Sequence, residues 1–429
     1  MKKIIVAGAG HGGLSAAINL ARGGFDVTVF EKNKRAGLGW DWTDAFVPSA
    51  LPRAGITALP DDDILEFRNA GFLPPSKKVM VNTDTGPNPT VKSVDRKILL
   101  AHLIKEAKSA GVKFEFSAEV NYALVKGNRI VGLNTAKGDV YADLVIDSAG
   151  IDSPVRRNLP EKFNIQNEIG DGERFFCYRA FYDVTSDEKS DPQYQIIFFH
   201  NNRCGMDWCI TEGNHIDILI GSFSELSEDD IEEAVEDYLA DFPQMTDKIV
   251  RGGQCAKIPL RRPLSKFITN GYAAIGDAVC MTEPLSGSGI VLSILAGKIL
   301  ADVCVASVEK KFDESELWKY QYRYMQEHGF SHFNPGVIKD YLSSLNAEDI
   351  NFFVEEKILG APELGNVGEN TMEDMIQKLV LLKRPDLLPG IIKAATKLMI
   401  IPRVIKSMPS SYDVQKIREY MAMDKNLDW

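Results

Sequence analysis

Residues 8–13 read Gly8-Ala9-Gly10-His11-Gly12-Gly13, between an apolar run and an alanine-rich stretch, and Glu31 follows twenty-one positions after Gly10. A Gly-x-Gly-x-x-Gly loop between strand and helix is built to hold a pyrophosphate. Gly8 and Gly10 let the chain turn tightly and bring backbone close to phosphate. Gly13 lets helix pack closely on strand, and the helix N-terminus supplies N–H groups and the positive end of its dipole. Glu31 ends the next strand, where it can accept from a ribose hydroxyl. A second segment, residues 272–290, reads YAAIGDAVCMTEPLSGSGI. It is an apolar strand ending at Gly276-Asp277, followed by Pro284 and then Gly287-x-Gly289 at the start of a second helix. A simple dinucleotide needs only the first segment. A long one with a reactive ring at its far end needs both, so the pair points to FAD. A glycine-rich turn in an ordinary βαβ unit explains the glycines but not their coincidence with helix and acid.

These residues need a framework that joins them across more than two hundred positions. Residues 1–31 read as strand, helix, strand, and 32–60 as loop-rich. The run 93–111 has helical spacing at Ile98, Leu99, Leu103, Ile104 and Ala107 and stops at Gly111. Strand patterns follow, with a hairpin around Lys126-Gly127-Asn128, and YADLVIDSAG (141–150) returns the chain to the nucleotide domain. Residues 172–223 alternate as four strands. An acidic amphipathic helix follows at 228–242, and one helix runs from Gly289 to about 308. The expected fold class is α/β: a Rossmann-like FAD-binding domain (1–170 and 255–308), an inserted antiparallel-sheet substrate domain (171–254), and a helical C-terminal region (309–429).

Composition narrows the class. A chain of 429 residues with 45% hydrophobic and 25% charged residues is ordinary for a globular enzyme with a large core. A net charge of −11 argues against nucleic acid as the main partner. The apolar start is already the first strand of the fold rather than a signal peptide. The longest apolar stretch, 289–306, carries Lys298 and Asp302 and is not a membrane span. Six scattered cysteines without CxxC read as reduced cytosolic thiols, and neither they nor the six histidines suggest a metal site. The expected location is cytoplasmic.

The order of motifs resembles the flavoproteins built like p-hydroxybenzoate hydroxylase, and among them the geranylgeranyl reductase family, over roughly residues 1–330. The motifs are GxGxxG, an acid, a helix opening on Val94-Asp95-Arg96, "IDSAGxxSxxR" (146–156), the inserted sheet, and "GDAxxxxxPxxGxGI" (276–290). The resemblance implies roles residue by residue. Gly8, Gly10, Gly12 and Gly13 form the pyrophosphate loop, and Glu31 binds the adenosine ribose. Arg96 lies along the FAD phosphates, and the backbone of Val120 meets the adenine. Asp277 binds the ribityl chain and phosphate. Gly289 and Ile290 form the helix N-terminus facing the N1/O2 edge of the flavin, where reduction places negative charge.

The resemblance also has gaps. Ala149-Gly150 stands where the hydroxylases usually have Asp-Gly, which weighs against hydroxylation. The reductases' aromatic-x-Trp-x-Phe-Pro survives only as Trp208 in Met206-Asp207-Trp208-Cys209-Ile210-Thr211. Flavin halogenases carry Trp-x-Trp-x-Ile-Pro at a similar place, of which Trp208 and Ile210 remain. Trp40-Asp41-Trp42 stands where the reductases often have Cys. The implied activity is reduction of carbon–carbon double bonds in an apolar, isoprenoid-like or lipid-like substrate by hydride from flavin N5. The electron donor would be NAD(P)H or ferredoxin. The alternatives are an aromatic monooxygenase or halogenase-like enzyme, and a non-catalytic electron-transfer protein.

Several single residues have two readings. His11 is either a contact near the flavin or a residue that fits the loop. Trp40, Trp42 and Trp208 either wall the substrate pocket or pack the core. Cys204 and Cys209 read as packing residues. Arg261-Arg262 could serve an anionic substrate, and the Asp152/Ser153/Arg156 turn is mainly structural. No residue is assigned as catalytic, and no metal is expected. The stretch 378–406 carries seven cations (Lys378, Lys383, Arg384, Lys393, Lys397, Arg403, Lys406) against Asp386, interleaved with Leu387, Leu388, Ile391, Ile392, Ala395, Leu398, Met399 and Ile401. That pattern suits either a helix lying at a membrane surface or a cap with its apolar side inward.

Overall fold

The computed structural model describes residues 1–66, 70–82, 91–356 and 384–427. The run Lys3–Ala7 is apolar on both faces and sits inside a six-stranded sheet, as fully covered parallel strands do. Across that sheet the strands run Ile268–Thr269, Tyr272–Ala274, Leu144–Asp147, Lys3–Ala7, Asp26–Glu31 and Lys113–Phe116. Leu144–Asp147 pairs in parallel with Lys3–Ala7 on one side and Tyr272–Ala274 on the other, so Asp147 aligns with both Ala7 and Ala274. The glycine loop and the Gly276-Asp277 turn therefore leave the same end of the sheet, one strand apart. That is where an open α/β sheet binds its ligand.

The helices that follow these two turns, His11–Arg22 and Ile290–Ala306, cross at close range. A Cβ on Gly297 would stand 2.5 Å from the Gly12 carbonyl oxygen and 2.7 Å from the Ala16 nitrogen. Ser15 Oγ donates to the Ile294 carbonyl oxygen at 2.7 Å across the same crossing. The small residues are thus required where backbone meets backbone.

A seven-stranded sheet forms the second body. Its order is Met245–Pro259, Arg174–Val184, Ile216–Ser222, Met206–Thr211, Tyr194–Phe198, Ala70–Leu73 and Val81–Asn82. The four strands expected within 172–223 are all present and their mutual pairings are antiparallel. The sheet also draws in Ala70–Leu73, parallel to Tyr194–Phe198. Its edge strand runs to Pro259, past the boundary expected at 254. Gly252 and Gly253, both at positive φ, interrupt the alternation there and hid the strand. The acidic helix Glu228–Asp241 turns Ala234 and Tyr238 onto the sheet and opens on a Ser227/Asp230 capping box.

Two boundaries differ from expectation. The helix expected at 93 begins at Arg96, because Asp95 caps it by accepting from Lys97 N (2.8 Å) and Ile98 N (3.4 Å). Residues Lys92–Asp95 are instead a strand paired with Thr43–Phe46, inside the stretch expected to be loop.

The C-terminal region contributes helices Glu314–His328, Phe330–Ser343, Ala347–Glu355, Leu388–Ser407 and Val414–Lys425. Of the cationic stretch 378–406, Lys378 and Lys383 lie outside the described residues. In Leu388–Ser407 the side chains of Ile391, Ala394, Ile401, Val404 and Ile405 are buried, so this helix caps the core. Lys397 is buried too, donating to the Leu427 carbonyl oxygen at 3.0 Å. Ile392 and Met399 remain exposed on the outer side. No helix among the described residues is long and apolar enough to cross a membrane.

Gly297→Val tests the helix crossing. Its added methyls meet main chain, which cannot yield as a flexible side chain does. The expected result is a loss of about 1–3 kcal/mol or more in urea unfolding, as for overpacked cores. A midpoint unchanged from the parent would contradict the close packing.

Candidate functional site

A cleft of about 200 Å³ opens where the two turns meet. Its walls include Gly10, His11, Gly12, Trp40, Trp42, Arg96, Asp277, Gly289 and Ile290. Nine residues singled out in the sequence thus come from five separate stretches to one cavity. Gly8, Gly13, Glu31 and Val120 do not line it. Gly8 takes φ +89°, and its missing Cβ would fall 2.5 Å from the Ser148 carbonyl oxygen. Gly13 N donates to Ser148 Oγ at 3.1 Å. Glu31 braces the loop from behind, accepting from Ala9 N and Asn33 N, both at 2.9 Å. Val120 is buried at the start of the strand Val120–Lys126.

Charge in this cleft is arranged in pairs. Arg96 donates through Nε to Asp44 Oδ2 at 2.6 Å and through Nη2 to Oδ1. Burial disfavours both charges, yet each outweighs the cost for the other. Asp44 is held below the usual carboxylate range by Arg96 and Arg179, and Arg96 is raised. His11 has a covered Nε2 with no partner among the described residues. Burial, with Arg96 nearby, lowers its pKa to about 4, so the ring is neutral near pH 7. A neutral imidazole with an open ring nitrogen, at the first turn of a glycine-loop helix, suits a polar cofactor.

Asp277 sits on a short turn, Gly276–Val279, and its Oδ1 accepts from Thr282 Oγ1 at 3.0 Å. Burial raises its pKa, opposed by that hydrogen bond and by Arg96. The helix starting at Ile290 has Gly289 at its N-cap and no side chain capping it. Its first N–H groups are therefore available to a ligand's oxygen or nitrogen. The loop, the uncapped helix, the His11 nitrogen and the Asp277 carboxylate together fit a flavin dinucleotide.

A second cavity, about 190 Å³, shares Trp42, Arg96, Ile258, Gly287, Gly289 and Ile290 with the first. Its far walls are Phe175, Met206, Trp208, Leu219 and Leu260, with Tyr194 and Arg179. Trp42 is buried between the two cavities and stacks on Trp40 at 5.7 Å. Arg179 lies 4.6 Å from the Trp208 ring centre and 5.7 Å from that of Trp42. Its charge is met by Asp217, buried beside it, through Nε at 2.9 Å. All three tryptophans singled out in the sequence therefore line the clefts.

Arg261 and Arg262 are each held by an acid of the fold. Arg261 donates to Glu173 (3.0 Å), and Arg262 to the buried Asp424 (2.9 Å), which anchors the helix Val414–Lys425. Cys204 and Cys209 pack as expected, with thiol pKa values pushed up by burial. Sequence reasoning missed Asp44, Arg179 and Asp217. Only Asp44 carried a signal, an acid two residues after Trp42 near a required arginine. The other two look like ordinary strand residues until the sheet is assembled.

The comparisons agree with this geometry. A family model described as an NAD(P)-binding Rossmann-like domain matches residues 6–44. The digeranylgeranylglycerophospholipid reductase of Sulfolobus acidocaldarius is 24% identical, covering 95% of this chain and 93% of its own. One from Methanopyrus kandleri is 27% identical, covering 76% of this chain and 86% of its own. Among solved structures, a geranylgeranyl bacteriochlorophyll reductase-like protein from Thermoplasma acidophilum superposes with a TM-score of 0.74 at 18% identity, covering 92% of this chain and 99% of its own. The myxobacterial chondrochloren halogenase, described as FAD-dependent, gives 0.58 at 16% identity, over 98% and 96%. The resemblance to the geranylgeranyl reductase family holds over most of the chain. The fold is that of FAD-dependent oxidoreductases, the protein is an enzyme, and FAD is its cofactor.

Asp277→Ala is expected to weaken FAD binding by about one to two decades, the worth of a charge-assisted hydrogen bond of about 1.5–3 kcal/mol. Glu31→Ala should cost less. Titration of flavin-stripped protein with FAD, followed by flavin fluorescence, measures both. Unchanged affinity in both variants would remove these carboxylates from the cofactor site.

Proposed function

We propose that this protein reduces carbon–carbon double bonds of an apolar, isoprenoid-like substrate. The observation that carries the reading is a second cavity that shares Trp42, Gly289 and Ile290 with the cofactor cleft and has Phe175, Met206, Trp208, Leu219 and Leu260 on its far side. FAD bound in the first cleft supplies the hydride chemistry. Arg96, Asp277 and the Gly289-Ile290 helix start would hold it, with Glu31 fixing the glycine loop from behind. Trp42, Trp208, Phe175, Met206 and Leu219 receive the apolar chain and exclude water. Both cations in the wall are matched by acids, Arg96 by Asp44 and Arg179 by Asp217. With Glu66 and Glu212 also in the lining, the cavity offers no surplus cation to an anionic reacting group. A small apolar hollow of about 50 Å³ beyond it, between Phe198, Phe223, Leu285 and Leu342, shares Phe175, Met206 and Leu260 with the substrate cavity and extends its apolar wall. The relatives' name, digeranylgeranylglycerophospholipid reductase, supports a polyprenyl lipid as the substrate class. NAD(P)H or ferredoxin remains the expected electron donor.

Chemically reduced enzyme incubated with a polyprenyl lipid should yield product heavier by two hydrogens for each double bond reduced, read by mass spectrometry. Leu219→Trp, which fills the cavity, should raise KM for a long chain at least tenfold without loss of bound FAD. A product heavier by one oxygen would overturn the reading in favour of a monooxygenase.

A lipid substrate also gives a purpose to the outer side of the helix Leu388–Ser407. Ile392 and Met399 lie exposed along a stripe that ends in Arg403 and Lys406. The protein is expected to co-sediment with anionic vesicles at low salt and Met399→Asp to weaken this. If the intact protein ignores such vesicles, membrane contact through this helix is excluded.

A further inference from the structure

We propose that His332 and Tyr324, on the C-terminal helices, are positioning residues for FAD, acting on Asp277 through Thr282. The inference rests on Asp277 being a cofactor ligand.

The turn that carries Asp277 is not one that the backbone adopts freely. Gly276 has φ +70° and Cys280, a residue with a Cβ, has φ +62°. A non-glycine residue in this region is strained and persists only where its surroundings hold it. Thr282 closes the turn. Its hydroxyl donates to Asp277 Oδ1 at 3.0 Å, and a Cβ on Gly289 would stand only 2.9 Å from that hydroxyl oxygen. Thr282 thus links the carboxylate to the first residues of the Ile290 helix.

The main chain of Thr282 is held from the C-terminal region. His332, fully buried on the helix Phe330–Ser343, places Nδ1 3.2 Å from the Thr282 carbonyl oxygen. A carbonyl only accepts, so Nδ1 carries the hydrogen. Burial lowers its pKa to about 3, so the ring is neutral, and Nε2 is then an acceptor. Tyr324 OH, fully buried on the helix Glu314–His328 and 2.7 Å away, must therefore donate to it. One tautomer and one hydroxyl orientation satisfy the whole chain from Tyr324 through His332 and Thr282 to Asp277. Pairing of this kind, behind a ligand rather than on it, sets the orientation of the group that touches the bound molecule.

The test compares His332→Phe, which keeps volume and deletes both hydrogen bonds, with Tyr324→Phe, which deletes one hydroxyl. Each is made alone and on Asp277→Ala, and FAD affinity is measured by titration. His332→Phe should weaken FAD binding about tenfold, or about 1.4 kcal/mol. Tyr324→Phe should weaken it less. On Asp277→Ala neither should cost more than about a third of its effect alone, since both act through that carboxylate. Val337→Ala, a buried truncation on the same helix, should lower thermal stability and leave FAD affinity within about twofold. Full, additive losses on Asp277→Ala, or an equal loss in Val337→Ala, would reduce the pair to general packing and overturn the proposal. If His332→Phe fails to fold, Tyr324→Phe and its double variant decide alone, and unchanged affinity there also overturns it. Failure of the underlying reading shows differently: Asp277→Ala would itself bind FAD as the parent does.

Discussion

One buried carboxylate joins the parts that make the cofactor cleft. Asp147 is wholly buried at the end of the central strand Leu144–Asp147 and accepts from three donors. These are Ala149 N at 3.1 Å, Ser153 Oγ at 2.6 Å and Tyr272 OH at 2.9 Å. Burial raises its pKa, and the three hydrogen bonds and Arg156 oppose the shift. Each donor belongs to a different job. Ala149 follows Ser148, whose hydroxyl receives Gly13 N of the glycine loop. Ser153 caps the short helix bearing Arg156, which reaches the Ala278 carbonyl oxygen at 2.6 Å. Tyr272 lies on the strand that ends at the Asp277 turn. Removing a buried acceptor of three donors leaves each donor unsatisfied, at about 1–3 kcal/mol apiece. The two halves of the cofactor site are thus tied through a residue that touches neither cavity.

Legibility in the sequence follows the range of the interaction. The glycine loop, Glu31 and the Gly276–Ile290 turn were legible because their chemistry is local: a tight turn, a helix start, an acid at fixed spacing. Trp40, Trp42 and Trp208 could be placed near the clefts only through the family resemblance. The edge strand Met245–Pro259 and the short strand Ala70–Leu73 were not legible. One carries a glycine pair, and the other is four residues long and leaves no period to count. The late start of the Arg96 helix was available in principle, since Asp95 is a good N-cap. The missed polar residues share one property. Arg179, Asp217, His332 and Tyr324 sit on regular elements whose periodicity reports burial. Nothing in a single sequence says which buried polar group meets another across a sheet or between two helices.

The C-terminal helices change their meaning once the loop contacts are known. From sequence they were a helical region with weak family likeness. In the structure, Tyr320 OH donates to the Ala274 carbonyl oxygen at 2.9 Å, Gln321 bridges Phe267 N and the Ser265 carbonyl oxygen, and His332 reaches Thr282. All act on the segment 265–282 that carries Asp277. Of these helices, Phe330–Ser343 also walls the apolar hollow, together with Ile350 of Ala347–Glu355. Cofactor loop and apolar hollow therefore meet at the helix Phe330–Ser343, which reaches the one through His332 and lines the other through Lys339, Leu342 and Ser343.

The ion pairs in the cavity walls also bear on substrate choice. Leaving one member of a buried pair alone costs far more than the pair gains over an apolar replacement. Arg96–Asp44 and Arg179–Asp217 are therefore poor stabilisers but strict positioners, and each guanidinium lies against the Trp42 ring as well. An anionic substrate group would have to compete with Asp44 or Asp217 for a cation already satisfied in geometry and charge. A neutral chain meets no such contest. It gains by covering Trp42, Trp208 and the aliphatic wall, at about 25 cal/mol for each Å² of apolar surface removed from water. Among the described residues, the pairing of charges thus leaves no usable cation in this wall for an anionic group.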